Sequence, residues 1–206
     1  MQIISALAGK SKTIQANATV SAMVNSAGLV KVTTTAAHGF ETGDIVQLSG
    51  TVGTVEANGQ WVVNSLDATH LVLNNSFFAN TYVSGGTVQH IGWATALSNF
   101  NFTFFLGTPL SLIGKVQLQS APAGSTIRFV FDDAAYGDTG FLTSMPGPTF
   151  HFAGGQTAKS DAVASFVFMP DWPDLRLNYE NTWRLRVLWG KGTPGQSFTF
   201  SSWMEY

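Results

Sequence analysis

The stretch Val30-Lys31-Val32-Thr33-Thr34-Thr35-Ala36-Ala37-His38-Gly39-Phe40-Glu41-Thr42-Gly43-Asp44-Ile45-Val46 decides the fold class. Val30, Val32 and Thr34 alternate with neighbours of the other kind, which is the period of a half-buried strand. Gly39 and Gly43 then offer the positive φ of a tight connection, and Asp44 is placed to cap it through its carboxylate. Ile45, Val46 and Leu48 open the next strand. β-branched residues dominate and apolar positions do not recur at helical spacing, so the stretch predicts strand, turn and strand.

The same rhythm extends in both directions. Trp61, Val62 and Val63 form one short apolar segment and Leu71, Val72 and Leu73 another, separated by turn-formers such as Asn25-Ser26-Ala27-Gly28, Asn58-Gly59 and Ser84-Gly85-Gly86. Asn58-Gly59 is the strongest short hairpin signal and predicts a type I′ turn. Beyond residue 92 the side chains grow larger. Strands are expected at Phe100 to Leu106, Lys115 to Gln119, Thr126 to Phe131, Thr149 to Phe152, Ala164 to Met169, Thr182 to Trp189 and Ser197 to Trp203. In the segment 182–189, Trp183, Leu185, Val187 and Trp189 share one face, with Arg184 and Arg186 on the other; Phe198 and Phe200 likewise share a face.

Turn signals at roughly 8–12-residue intervals predict an all-β protein. The expected architecture is a small β-barrel-like module at 27–92 and a larger antiparallel β-sandwich at 93–206, with a jelly roll among the forms that such strand density allows. Residues 1–26 are an N-terminal segment that can lend a strand to the second unit.

Only 11% of the 206 residues are charged, against about 25% in an average soluble domain. With 45% apolar residues the chain has material for a core and is not of disordered composition. A net charge of −2 gives no electrostatic footprint for a phosphate backbone, so direct nucleic-acid binding is not expected. Charge is also uneven: no Lys or Arg occurs between Lys31 and Lys115, and seven of the ten cations lie in 115–206. The absence of cysteine excludes disulfides, thiolate metal sites and a cysteine nucleophile. Apolar runs are too short for a membrane-spanning helix, and Met1 to Ala8 lack the pattern of a secretory signal, so neither membrane insertion nor conventional export is expected.

The run 30–46, followed by Asn58-Gly59-Gln60-Trp61-Val62-Val63, Asp67-Ala68-Thr69-His70-Leu71-Val72-Leu73 and Tyr82-Val83-Ser84-Gly85-Gly86-Thr87-Val88, resembles a small β module of tailed-bacteriophage structural proteins. That module is itself similar to the first catalytic-cysteine half-domain of ubiquitin-activating enzymes. The resemblance covers about a third of the chain and implies a scaffold on a phage particle; with no cysteine present, it does not imply ubiquitin-like transfer. The implied location is the virion, assembled in the bacterial host cytoplasm. Partners would be other virion proteins and copies of the chain itself in a homo-oligomer. A tail-associated or peripheral fibre-like place is expected, with capsid decoration and a host-surface carbohydrate or receptor module as alternatives.

Candidate sites are few. His38, His70, His90 and His151 show no metal-ligand spacing, and His38 and His70 sit in turns, so structural roles are expected. Asp132, Asp133 and Asp138 gather carboxylates in a glycine-bearing loop, a weak calcium candidate whose spacing does not fit an EF-hand and which reads first as a solvated loop, so no metal site is expected. Pairing Asp132 or Asp133 with Asp171 or Asp174 as a glycosidase dyad lacks any geometric signal, and no enzyme is expected. Gly154-Gly155-Gln156-Thr157 lacks the Lys-Ser/Thr of a phosphate loop. No cofactor is expected. Trp172, Trp183, Trp189 and Trp203, with Arg184 and Arg186, are core, interface or glycan-binding candidates; Trp172, between Pro170 and Pro173, is the expected interface anchor.

Overall fold

A computed structural model describes residues 3–101, 112–120, 126–133, 144–151, 162–168, 180–191 and 193–205. The strands are β1 (Ile3–Thr13), β2 (Ala18–Ser26), β3 (Leu29–Thr34), β4 (Asp44–Val52), β5 (Gly59–Ser65), β6 (His70–Leu73) and β7 (Ser84–Asn101). They continue with β8 (Leu112–Ser120), β9 (Thr126–Asp133), β10 (Ser144–His151), β11 (Ala162–Phe168), β12 (Glu180–Lys191) and β13 (Ser197–Glu205). Among the described residues the only helical turn is the 3-10 segment Val55–Ala57. The protein is all-β, as the period-two pattern predicts.

Two compact units divide the chain. One comprises residues 13–94 and 193–196, the other residues 1–12, 95–192 and 197–206. The first is a closed barrel: its strands follow the order β7-β2-β3-β6-β5-β4, and β4 pairs back onto β7. Barrel diameter grows with strand number, and eight strands already leave room only for side chains, so six enclose a solid interior. Val30 and Val32 from β3, Val46 and Leu48 from β4, Val63 from β5, Leu71 and Leu73 from β6 and Val88 from β7 fill it. Each such buried side chain contributes about 1.5–3 kcal/mol relative to exposure. Closure also removes every free strand edge from this unit.

Among the described residues the second unit contains eight strands in two sheets. One has the order β1-β13-β8-β11, and in the other β10-β9-β12-β7 follow one another. Counted along this unit alone, strands first, eighth, third and sixth make one sheet, and fifth, fourth, seventh and second the other. That alternation between sheets is the double Greek key of a jelly roll. The barrel strands lie in sequence between its first and second members, and β7 takes part in both units, with residues 84–94 in the barrel and 95–101 in the jelly roll. β1 belongs to the jelly roll, whereas β2, also upstream of Ala27, is a barrel strand.

Two local expectations are corrected. Asn58 has φ −67° and extended ψ, so Asn58-Gly59 does not form a type I′ turn. The buried Ala57 draws the connection into a 3-10 turn, its carbonyl accepts the Trp61 indole N–H at 2.7 Å, and the Asn58 carboxamide accepts from the Thr51 amide at 3.1 Å. The I′ geometry falls instead at Ala27-Gly28, between β2 and β3, where φ is 52° and 88°. The second correction concerns Asp132 and Asp133, which are the last residues of β9 rather than members of a loop.

Candidate functional site

Successive barrel strands alternate in direction, so their connections collect at two rims. One rim gathers the stretch before β2, the β3–β4 connection, the β5–β6 turn and the point where β7 leaves the barrel. It is sealed by a polar and aromatic plug. The Phe40 amide donates to His38 Nδ1 at 2.9 Å, and the Gln15 amide donates to His90 Nδ1 at 3.0 Å. Each ring therefore accepts on Nδ1 and carries its proton on Nε2. The Phe40 ring stacks on His38, with centroids 5.1 Å apart, and meets His90 edge-on at 5.6 Å.

His90 Nε2 faces Asp44 Oδ2 at 3.4 Å, and both side chains are buried. The same Asp44 oxygen accepts the Glu41 amide at 2.8 Å, which is the capping role read from the sequence. Gly43 (φ 94°) supplies the bend before it, and a Cβ there would lie 2.7 Å from the Ala94 carbonyl oxygen. Burial pushes the His38 pKa below its usual value, against the opposing pull of the His70 backbone and of the Asp67 and Asp44 charges. Asp67 accepts the Thr69 and His70 amides and meets His70 Nδ1 at 2.9 Å, and these contacts hold its carboxyl down at about 2. His38 and His70 thus build turns, and among the described residues no group of three or more His, Asp or Glu is placed to hold a metal ion.

The opposite rim gathers the β2–β3 turn, the β4–β5 connection and the β6–β7 connection. It carries exposed apolar side chains: Val52 at 51%, Val55 at 57%, Val83 at 69% and Phe77 at 73% exposure. The loops beneath are tied together. Glu56 accepts the Ala79 and Asn80 amides at 2.7 and 2.8 Å and the Asn80 carboxamide at 3.0 Å. Desolvation acts upward on Glu56, but these hydrogen bonds prevail and hold it at about 2. The Ser76 hydroxyl donates to the Leu73 carbonyl and accepts the Val30 amide, and the Phe78 amide donates to the Gly28 carbonyl. Gly53 packs on Thr81 and Val83 so closely that a Cβ would clash with the Thr81 carbonyl. Phe77 therefore stands between two anchored neighbours. Sequence reasoning missed it, although Phe77-Phe78 inside the polar run Asn74 to Asn80 was a visible signal.

In the jelly roll, Trp189 is only 7% exposed and packs on Phe198 at 5.1 Å, with Phe198 against Phe200 at 5.9 Å. Of the roles open to it in the sequence, Trp189 takes that of a core residue. Trp183, Arg184 and Arg186 are placed on β12, opposite Asp133, Asp132 and Val130 of β9 in backbone register. Trp203 is on β13, opposite Lys115 of β8. Trp172 and Asp138 lie outside the described residues.

No curated protein matches this chain. Among solved structures, a chain of the cryo-EM structure of Broad Bean Stain Virus aligns over 93% of this chain and 85% of its own, at 11% identity and a TM-score of 0.27. A chain of infectious bursal disease virus, Gx strain, aligns over 98% of this chain, which spans 57% of that one, at 10% identity and a TM-score of 0.33. Residues 25–91, the greater part of the barrel, match the family model of the ubiquitin-activating enzyme E1 FCCH domain, so this module is similar to that domain.

Proposed function

We propose that the protein is a non-enzymatic structural component of a tailed-bacteriophage virion, in a tail-associated or peripheral fibre-like position, acting through contacts with other virion proteins and with its own copies. The supporting observation is the combination of modules: a barrel similar to the ubiquitin-activating enzyme E1 FCCH domain is inserted in the chain of a jelly roll. Jelly rolls build viral capsid and lectin domains, though the fold alone assigns no function. The low charge is consistent with this, because a surface of Gly, Ser, Thr and Asn is covered by a partner with little desolvation cost. The test is fractionation of purified particles into heads and tails, followed by immunodetection. Recovery with tails supports the proposal, recovery with heads replaces it by capsid decoration, and absence from particles overturns it.

One observation favours a second reading, a host-surface carbohydrate or receptor module. Phe77 is exposed on a rim that also exposes Asn25, Asn58, Asn75 and Asn80, and an aromatic face flanked by amides suits a sugar ring. A glycan array that gives signal with the native protein and none with Phe77→Ala would establish it.

A further inference from the structure

Among the described residues the jelly-roll unit has sheet ends that the closed barrel lacks. Among the described residues, its β1-β13-β8-β11 sheet ends at β1 and β11, and its other sheet ends at β10. Exposed edges pair with other chains unless they are blunted. β10 contains Pro146 and Pro148, and its register with β9 shifts between Pro146 and Thr149; prolines and bulges are edge-blunting devices. β1 carries Lys10 and Lys12. β11, Ala162-Val163-Ala164-Ser165-Phe166-Val167-Phe168, contains no charge, no proline and no glycine. Its register with β8 runs unbroken from Ala162 opposite Leu118 to Phe168 opposite Leu112. It is a regular strand with its second ladder unused among the described residues.

We infer that two copies of the chain join β11 to β11, antiparallel across a two-fold axis at Ser165, merging two four-stranded sheets into one. The sequence specifies a second copy as the occupant. Pairing about Ser165 sets Ala162 opposite Phe168 and Ala164 opposite Phe166, small against large, and Val163 opposite Val167, so the strand is complementary to itself. Paired residue numbers then have an even sum, so positions whose N–H and C=O point outward in one copy face outward positions in the other. A self-paired edge sets like charges near one another, and β11 brings none. The inference rests on the reading of the chain as an assembling protein and names the surface used.

The chain has no cysteine, which makes the test clean. Directly opposed residues of an antiparallel pair have Cα atoms about 4.5–5.5 Å apart, within disulfide range. Full-length Ser165→Cys, oxidised at micromolar concentration, should run in non-reducing gels at twice 22.0 kDa. Ser11→Cys on β1 should stay at the single-chain mass, and light scattering should find the native protein dimeric or a multiple of the dimer. A native monomer, or cross-linking of Ser11→Cys as complete as that of Ser165→Cys, overturns the inference. Should Ser165→Cys fail to fold, light scattering of the native chain decides alone. Cross-linked dimers from a protein absent from particles would leave β11 pairing standing and remove the virion reading.

Discussion

His38 and Phe40 hold each other twice: the Phe40 amide donates to His38 Nδ1 at 2.9 Å, and the two rings stack 13° from parallel. A protonated imidazole cannot accept on Nδ1, so acid breaks this contact. Burial sets the folded pKa of His38 below its ordinary 6.5, and in the interval between folded and unfolded values the unfolded chain binds more protons. The stability contribution is therefore complete above about pH 6.5 and is lost as pH falls below it. Urea midpoints should drop between about pH 7.5 and about pH 5. The drop should shrink in His38→Asn, which keeps an acceptor and loses the titrating ring. An undiminished drop would assign the acid sensitivity elsewhere.

Leu48 is fully buried and its strand position pairs with Gly59 on one side and Val88 on the other, where β4 closes the barrel. Leu48→Ala should cost about 2–5 kcal/mol through lost burial and a cavity. Denaturant unfolding should show a lower midpoint with the slope preserved.

Ala27 occupies left-handed space at φ 52°, a conformation that costs a residue with a Cβ about 1–2 kcal/mol. Ala27→Asn and Ala27→Gly should each raise stability by about 0.5 kcal/mol, with Gly returning part of its gain to the unfolded state. Thermal melts check this, and a lower midpoint in both variants would contradict it.

Glu56 clamps residues 79 and 80 and has a pKa of about 2, against an ordinary value near 4.5. Its contribution is present above pH 4.5 and is lost as pH falls toward 2. The group is solvated, so Glu56→Gln should cost only about 0.5 kcal/mol globally. The local effect should be clearer: the Ala79 and Asn80 amides should exchange hydrogen faster, with the barrel core unchanged.

Phe77→Ala should leave the unfolding free energy within about 0.5 kcal/mol of the native value, because the ring is already in water. A larger loss would mean that Phe77 packs on the barrel.

The barrel was legible because its signals are local. Val30, Val32 and Thr34 are all buried on β3, and Gly39 and Gly43 both take positive φ. Asn58-Gly59 misled because the choice of turn was made by the burial of Ala57 and the Trp61 indole, contacts that no dipeptide encodes. The plug was hidden for a similar reason: Gln15 and His90 are 75 residues apart in sequence and meet only through closure of the barrel. The jelly roll was foreseen as one option among β-sandwiches, but its strand order could not be read, since β1 and β13 stand at opposite ends of the chain.

The insertion of the barrel between β1 and the rest of its sheet also imposes an order on biosynthesis. A ribosome delivers β1 before all six barrel strands, and β13, the sheet neighbour of β1, after every other described strand. The barrel strands are complete before β8 emerges and can close while synthesis continues. β1 must wait for β13, and such distant pairing folds slowly. A chain stopped before Ser197 would carry a finished barrel and a first strand with its neighbour missing.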